Sequence, residues 1–439
     1  MCAMQRDVRK VVVLGANGAM GAGSGEVFAA AGISTVFLAR SRDKARQGMA
    51  RAEAMAKSEA LGRFIKLGSY EEDLEREVAD ADIIFEAVSE ELALKREFFE
   101  RIDRCRKPDS IFGTVSSGLS ITGMAKGRSD SFRKNFLGVH LFNPPSVIVG
   151  TEVIPHAETD PELVPAMVAL LEQRFGRVVT LCRDMPAFAG NRVGFKVLNE
   201  CAQLAAEHGV TFVDYLIGPY TGRAMPPLAT VDLVGWDVHR AIVDNVHANT
   251  KDEAHAAFQL PTYVAELIEE GHLGNKTPER GGFYRRTKED GKNVNLVLDP
   301  KSGAYKSPAD TKVAPLPFVE KMRQLHNTGR YVEAFKVFLE AKGAEADLAR
   351  KVVLGYVSYA LNRVGDSEVV NEASDVDKIM GFGFNWAPPT VLADVIGHKE
   401  TIAALEKAKL PVPKVLAGAK PGQRLFTVPS VNIGRFFSA

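Results

Sequence analysis

The first 190 residues alternate short apolar runs with longer stretches of helical spacing. Residues 10–14 (KVVVL), 35–39 (TVFLA), 82–88 (DIIFEAV), 110–115 and 136–142 are the apolar runs. Between the first two, residues 19–31 place small and apolar side chains at helical spacing, and a charged segment over 42–61 predicts a further helix. Strands that are apolar throughout, with helices between them, predict a parallel sheet covered on both faces. After Asp184-Met185-Pro186 the pattern changes. Residues 191–208, 213–217, 238–248 and 261–270 predict helices. Residues from about 285 to 318 are polar and rich in Lys, Asp, Gly and Pro, which predicts a linker or surface excursion. Helical patterns resume from about 317 to 407, and the last 30 residues, with Pro and Gly, predict a surface wrap.

The helical part contains an internal repeat. Leu198-Asn199 is followed by Asp214, Pro226-Pro227, Asp232 and Gly235. Leu361-Asn362 is followed by Asp377, Pro388-Pro389, Asp394 and Gly397. Asn to Asp is 15 positions in both series, the second Pro to the second Asp is 5, and that Asp to Gly is 3. A period as long as a domain predicts two alike helical units that pair, not a solenoid. The expected organisation is an α/β domain over 1–187, a helical domain over 188–295, a linker over 296–318 and a second, degenerate helical domain over 319–439.

Composition narrows the classes. The 439 residues hold 46% hydrophobic and 25% charged residues, ordinary for a globular chain. Lys plus Arg and Asp plus Glu are both 55, so the formal charge of zero argues against a chain-wide nucleic-acid binder. There is no uninterrupted apolar run of membrane-spanning length and no apolar signal region near the start, so a cytoplasmic protein is expected. Four scattered cysteines without a CxxC pair, and nine histidines without HExxH, give no expectation of a disulfide framework or a metal site.

The first strand runs into Gly15-Ala16-Asn17-Gly18-Ala19-Met20-Gly21, after which a helix begins. Glycines there let the backbone turn tightly against a pyrophosphate, and the helix start offers unpaired N–H groups. This context predicts dinucleotide binding by Gly15, Asn17, Gly18, Ala19, Met20 and Gly21. The spacing G-x-x-G-x-x-G is one residue longer than the usual form. The end of the second strand selects the cofactor, because a carboxylate there binds ribose hydroxyls and repels a 2′-phosphate. Here that position is Ala39, followed by Arg40-Ser41-Arg42. Two guanidiniums and a hydroxyl suit a phosphate, so the cofactor expected is NAD or NADP, with NADP acceptance favoured through Arg40 and Arg42.

His140 ends a strand, Asn143-Pro144-Pro145 breaks the chain, and a return strand over 148–154 carries Glu152. That geometry can bring the carboxylate beside the imidazole, an arrangement suited to moving a proton on and off a hydroxyl.

GVHLFNPP followed by TEVI resembles the 3-hydroxyacyl-CoA dehydrogenase family, which reads HFFNP and then VEVI, with the His and Glu likewise 12 apart. Ser116-Ser117-Gly118-Leu119-Ser120-Ile121 is similar to the family's N-T-S-S-L-x-I. Glu86-Ala87-Val88-Ser89-Glu90 with Lys95 resembles its E-A-V-x-E-x-x-x-x-K segment beside the nicotinamide ribose. Asn191-Arg192 resembles its N-R junction, and Leu273 to Tyr284 its closing L-G-x-K-T-G-x-G-F-Y. The remainder resembles the dehydrogenase half of large bacterial fatty-acid oxidation proteins, which fuse it to an enoyl-CoA hydratase. With no room for a hydratase in 439 residues, a freestanding dehydrogenase with two helical domains is expected.

The resemblance implies a Rossmann-type domain followed by two all-α domains, and oxidation of a 3-hydroxyacyl-CoA to a 3-oxoacyl-CoA. It implies that His140 is the general base, that Glu152 orients and supports it, and that Ser117 and Asn191 hold the substrate oxygen. Glu90 and Lys95 are implied at the cofactor. It further implies an acyl-CoA substrate, a monomer or homodimer, and association with an enoyl-CoA hydratase or thiolase. Val115 stands where the family has Asn and Ala39 where it has Asp. The place of Asn191 in the second copy falls at Leu354, so that copy reads as structural. Two other readings compete. One is a dinucleotide-binding protein without turnover. The other is a β-hydroxyacid dehydrogenase on non-CoA acids, which usually uses a Lys base.

Overall fold

The computed structural model describes residues 7–289, 292–429 and 431–437. The described residues divide into two units, one of those up to 188 with 369–371, the other of those in 189–368 and from 372 onward.

The first unit is built on eight strands: β1 (Lys10–Leu14), β2 (Ser34–Ala39), β3 (Ile65–Ser69), β4 (Ile83–Glu86), β5 (Ile111–Thr114), β6 (Phe136–Leu141), β7 (Gly150–Ile154) and β8 (Val178–Leu181). Their order across the sheet is β3-β2-β1-β4-β5-β6-β7-β8. All neighbours are parallel except β6 and β7. The parallel sheet expected from the apolar runs is therefore present, with β3 and β8 added at its two edges. Helices α1 (Ala19–Ala30) and α2 (Arg42–Ala56) follow β1 and β2. The strands bury both faces. Val11, Val13, Phe37, Phe85, Leu137 and Val139 join one core with Phe28 and Met167. Phe112 and Phe136 join Phe99 and Phe132 in an aromatic cluster with ring centres 4.7 to 5.7 Å apart.

The second unit is mainly helical, and the sequence repeat reappears in it as repeated hydrogen bonding. In the first copy Asp214 caps helix Pro227–Val234, accepting from the Leu228 and Ala229 amides at 2.7 and 3.1 Å. In the second, Asp377 caps helix Pro389–Ile396, accepting from the Thr390 amide at 3.1 Å and from its hydroxyl. Asp232 accepts from the Trp236 indole at 2.6 Å and from the Phe283 and Tyr284 amides. Asp394 accepts from the His398 imidazole at 2.8 Å and from the Leu425 and Phe426 amides. Gly235 and Gly397 open the next helices at φ of 107° and 98°, a conformation that costs a residue with a Cβ and not glycine. The repeat is thus a set of carboxylates satisfying backbone amides at equal spacings, Asp214 and Asp377 at helix starts and Asp232 and Asp394 at segments distant in the chain. Losing such a cap costs about 1–2 kcal/mol. Asp377→Ala is expected to lower the midpoint of equilibrium urea unfolding accordingly, with unchanged slope.

The second copy packs directly on the first. A Cβ on Gly194, in helix Gly190–His208, would lie 2.2 Å from the Phe384 ring. Arg223 from the first copy lies over the Trp386 ring of the second at 4.1 Å.

The segment expected as a linker, 296–318, begins inside secondary structure. A three-stranded antiparallel sheet crosses its start: β9 (Tyr284–Glu289), β10 (Lys292–Leu298) and β11 (Tyr305–Lys306). Val297 and Leu298 are buried in it, at the end of a β10 run that places Val294, Leu296 and Leu298 at alternate positions. Among the described residues no helix is long and apolar enough to cross a membrane.

Candidate active site

The C-terminal ends of the parallel strands form one edge of the sheet, where ligands of such folds bind. Leu14, Glu86, Thr114 and Gly138 lie in one row across β1, β4, β5 and β6. The glycine loop follows that row on β1, and His140 lies two residues beyond it on β6.

Gly15 has φ +74°, and a Cβ there would sit 2.2 Å from the Ala87 carbonyl oxygen. A Cβ on Gly21 would meet the Gly15 carbonyl oxygen at the same distance. The loop therefore lies against β4 and the start of α1 as only glycine permits. The Gly15 amide donates to the Tyr70 hydroxyl at 2.7 Å, and the Gly18 amide to the Gly15 carbonyl at 3.0 Å. Gly18 caps α1, while Ala19 and Met20 open it. The Asn17 carbonyl accepts from Arg51 at 2.9 Å. A cavity of about 620 Å³ lies over the loop, lined by Gly15, Asn17, Gly18, Arg40, Lys44, Tyr70 and residues 87–89. Its size and its backbone-rich floor fit a dinucleotide.

Behind this cavity lies a polar network. Lys95 is fully buried, and its ammonium donates to both carboxylate oxygens of Glu86 at 2.7 and 2.9 Å. Glu86 also accepts from the Thr114 hydroxyl at 2.6 Å and the Val88 amide at 2.7 Å. Glu90, 3.3 Å from the Lys95 ammonium, accepts from the Ser116 hydroxyl and from the Ser117 and Gly118 amides at 2.6 to 2.9 Å. Burial alone would raise the Glu90 carboxyl, but Lys95 and these donors bring it below its ordinary range. Lys95 thus acts on the cavity through Glu86 and Glu90, and Glu90 shapes the loop that carries Ser117.

His140 and Glu152 face each other as a register pair of the antiparallel β6 and β7. The His140 Nδ1 lies 2.6 Å from Glu152 Oε2. Nδ1 is thus the ring nitrogen engaged by the carboxylate, and Nε2 is the one that Glu152 does not occupy. Glu152 is fully buried, and the Cys182 thiol, just past β8, donates to its other oxygen at 3.4 Å. The imidazole is buried beside Phe142 and Phe188, with ring centres 4.8 and 5.7 Å away. Arg177 holds the return loop, donating to the Pro145 carbonyl at 2.7 Å, the Thr151 hydroxyl at 3.0 Å and the Ile148 carbonyl. Asp184 accepts from the Ser120 hydroxyl and the Ile121 and Thr122 amides, and so caps the helix after Ser117.

Of the expected residues Arg42 sits differently, while Asn191 lies in the helical part where the sequence put it. Arg42 points away from the cavity to Asp73, at 3.2 Å, and Glu72, at 3.3 Å, while Lys44 lines the cavity instead. Asn191 belongs to the second unit, buried in the first turn of helix Gly190–His208. Lys44, Tyr70, Cys182, Arg177 and Asp184 were not singled out by sequence. Only Lys44 left a signal there, a cation one helical turn after Arg40.

Comparison with known proteins agrees with this geometry. Residues 10–185 match the model of the 3-hydroxyacyl-CoA dehydrogenase NAD binding domain, and residues 188–286 that of the C-terminal domain of the same enzyme. A probable 3-hydroxyacyl-CoA dehydrogenase of Bacillus subtilis is 30% identical over 93% of this chain, which spans about half, 54%, of that relative's length. A probable 3-hydroxyacyl-CoA dehydrogenase of Deinococcus radiodurans is 31% identical over 70% of this chain and 89% of its own. The fold is shared with a 3-hydroxybutyryl-CoA dehydrogenase from Escherichia coli K12, at a TM-score of 0.66 and 20% identity, over 92% of this chain and 95% of that one. On these matches, the chain belongs to the 3-hydroxyacyl-CoA dehydrogenase family.

Proposed function

We propose that the chain oxidises a 3-hydroxyacyl-CoA to the 3-oxoacyl-CoA. The observation that carries this reading is the His140–Glu152 pair, 2.6 Å apart, on the same sheet edge as the glycine-loop cavity. A nicotinamide dinucleotide, when bound, supplies the hydride acceptor for C3. His140 Nε2 takes the proton of the 3-hydroxyl. Glu152, fixed by Cys182 and shielded from water, keeps the imidazole in the correct tautomer and stabilises its protonated form. Ser117 holds the substrate oxygen from the loop that Glu90 shapes. Gly15, Asn17, Gly18, Ala19, Met20 and Gly21 receive the pyrophosphate.

A non-CoA hydroxyacid enzyme with a Lys base fits less well, because Lys95 is enclosed by Glu86 and Glu90. The test is consumption of acetoacetyl-CoA with a reduced nicotinamide dinucleotide, followed by the loss of nicotinamide absorbance. Turnover with acetoacetyl-CoA and none with free acetoacetate supports the reading; cofactor binding without turnover overturns it. An enoyl-CoA hydratase or thiolase as partner, which would supply or consume the acyl-CoA, and a cytoplasmic location belong to the same proposal.

A further inference from the structure

We propose that Arg40 and Lys44 form a 2′-phosphate subsite, so that the cofactor this chain selects is the phosphorylated dinucleotide, NADP. The inference rests on the dehydrogenase reading only for its dinucleotide site. Three observations carry it.

The first is the missing repeller. β2 ends at Ala39, which is fully buried and offers neither a carboxylate for ribose hydroxyls nor a charge against a phosphate.

The second is two cations at the cavity. Arg40 and Lys44 are both exposed, and both line the cavity over the glycine loop. Arg40 directly follows β2 and lies close enough to the Tyr70 hydroxyl, above Gly15, to act on it electrostatically. Among the described residues Arg40 has no ion-pair partner, and Lys44 donates only to the Gln47 amide oxygen, at 3.3 Å. The Ser41 hydroxyl caps α2 by accepting from the Lys44 amide, which places Lys44 in the positive first turn of a 15-residue helix.

The third is the bookkeeping of neighbouring charges. Asp43, Asp73 and Glu72, the acids beside these cations in sequence or paired with Arg42, are each engaged by a cation other than Arg40 or Lys44. Asp43 pairs with Arg46 at 2.6 Å. Asp73 is buried, accepts from the Ser69 amide at 2.9 Å and pairs with Arg76 as well as Arg42. Glu72 faces Arg42 at 3.3 Å. Arg42 is therefore neutralised, and Arg40 with Lys44 remains as a net positive pair at the place where a 2′-phosphate arrives. A guanidinium and an ammonium together match the geometry and charge of that group.

The test is calorimetric titration of the full chain with NADPH and with NADH at one salt concentration. NADPH is expected to bind at least about tenfold more tightly, an advantage that shrinks as salt rises. Arg40→Gln and Lys44→Gln should each weaken NADPH by about tenfold and leave NADH within about twofold. Both side chains are exposed, so folding is not at stake. Arg42→Gln should leave the NADPH-to-NADH ratio unchanged, and Ala39→Asp should invert it. Equal affinities, a preference for NADH, or a loss with Arg42→Gln that matches Lys44→Gln would overturn the subsite while leaving the dinucleotide site intact. Binding of neither cofactor would overturn the dinucleotide site as well.

Discussion

Replacing His140 with Gln is expected to lower the rate of 3-hydroxyacyl-CoA oxidation by roughly 10²–10⁴-fold, the usual cost of losing a general base. Glutamine keeps a polar group of similar reach but cannot take up a proton. Dinucleotide affinity should hardly change, because His140 does not line the glycine-loop cavity. Steady-state kinetics and a binding titration on the same variant separate the two effects. Glu152→Gln should slow turnover less, since the amide can still accept from Nδ1 but no longer balances the imidazolium. A His140 variant with wild-type turnover would remove the mechanism.

Much of this site was legible in the chain because its pieces are local. The glycine loop, the apolar strand before it and the helix after it are contiguous, and their glycines answer to backbone clashes within a few residues or on the next strand. His140 and Glu152 were paired by a 12-residue return, which the structure makes as an antiparallel register. What the sequence hid depends on distant partners. Arg42 and Lys44 both follow β2, and nothing local tells which one faces the cavity. That is decided by Asp73 and Glu72 beyond β3, which draw Arg42 away. Lys95 shows as a cation nine residues after Glu86, yet only the closed sheet shows it fully buried against that carboxylate. β3, with its IKLGS sequence, and β8, with four residues, are edge strands with weak apolar signals. β10 carries the alternation of a half-buried strand in Val294, Leu296 and Leu298, but it lies in a stretch whose Lys, Asp, Gly and Pro content reads as a loop. The repeat was visible because its Asp, Pro and Gly positions serve helix caps, which tolerate few residue types.

The largest stability effect is expected where the two helical copies meet. Asp252, from the first copy, accepts from Arg192 at 2.8 Å, from the Tyr359 hydroxyl at 2.8 Å and from Arg363 at 3.0 Å. Tyr359 and Arg363 belong to the second copy, and Arg363 also pairs with Glu253 at 2.9 Å. The two guanidiniums are only 4% and 6% exposed, so their charges depend on Asp252 and Glu253 rather than on water. Removing one member of such a buried pair costs about 3–5 kcal/mol, because it leaves an uncompensated charge. Asp252→Leu should therefore destabilise the helical unit by that amount in urea unfolding. Removing the exposed Arg240–Asp244 pair, at 3.5 Å, should cost less than about 1 kcal/mol. The pH dependence has a definite sign. Burial alone would raise the Asp252 carboxyl, but Arg192, Tyr359 and Arg363 bring it below its ordinary value. A folded-state value below the unfolded one gives stability that is intact above about pH 4 and lost as acid protonates the group. Asp252→Leu should therefore flatten the acid limb of the wild-type stability curve. A variant as stable as wild type at neutral pH would mean that the copies are held by their apolar contacts alone, Gly194 against Phe384 foremost.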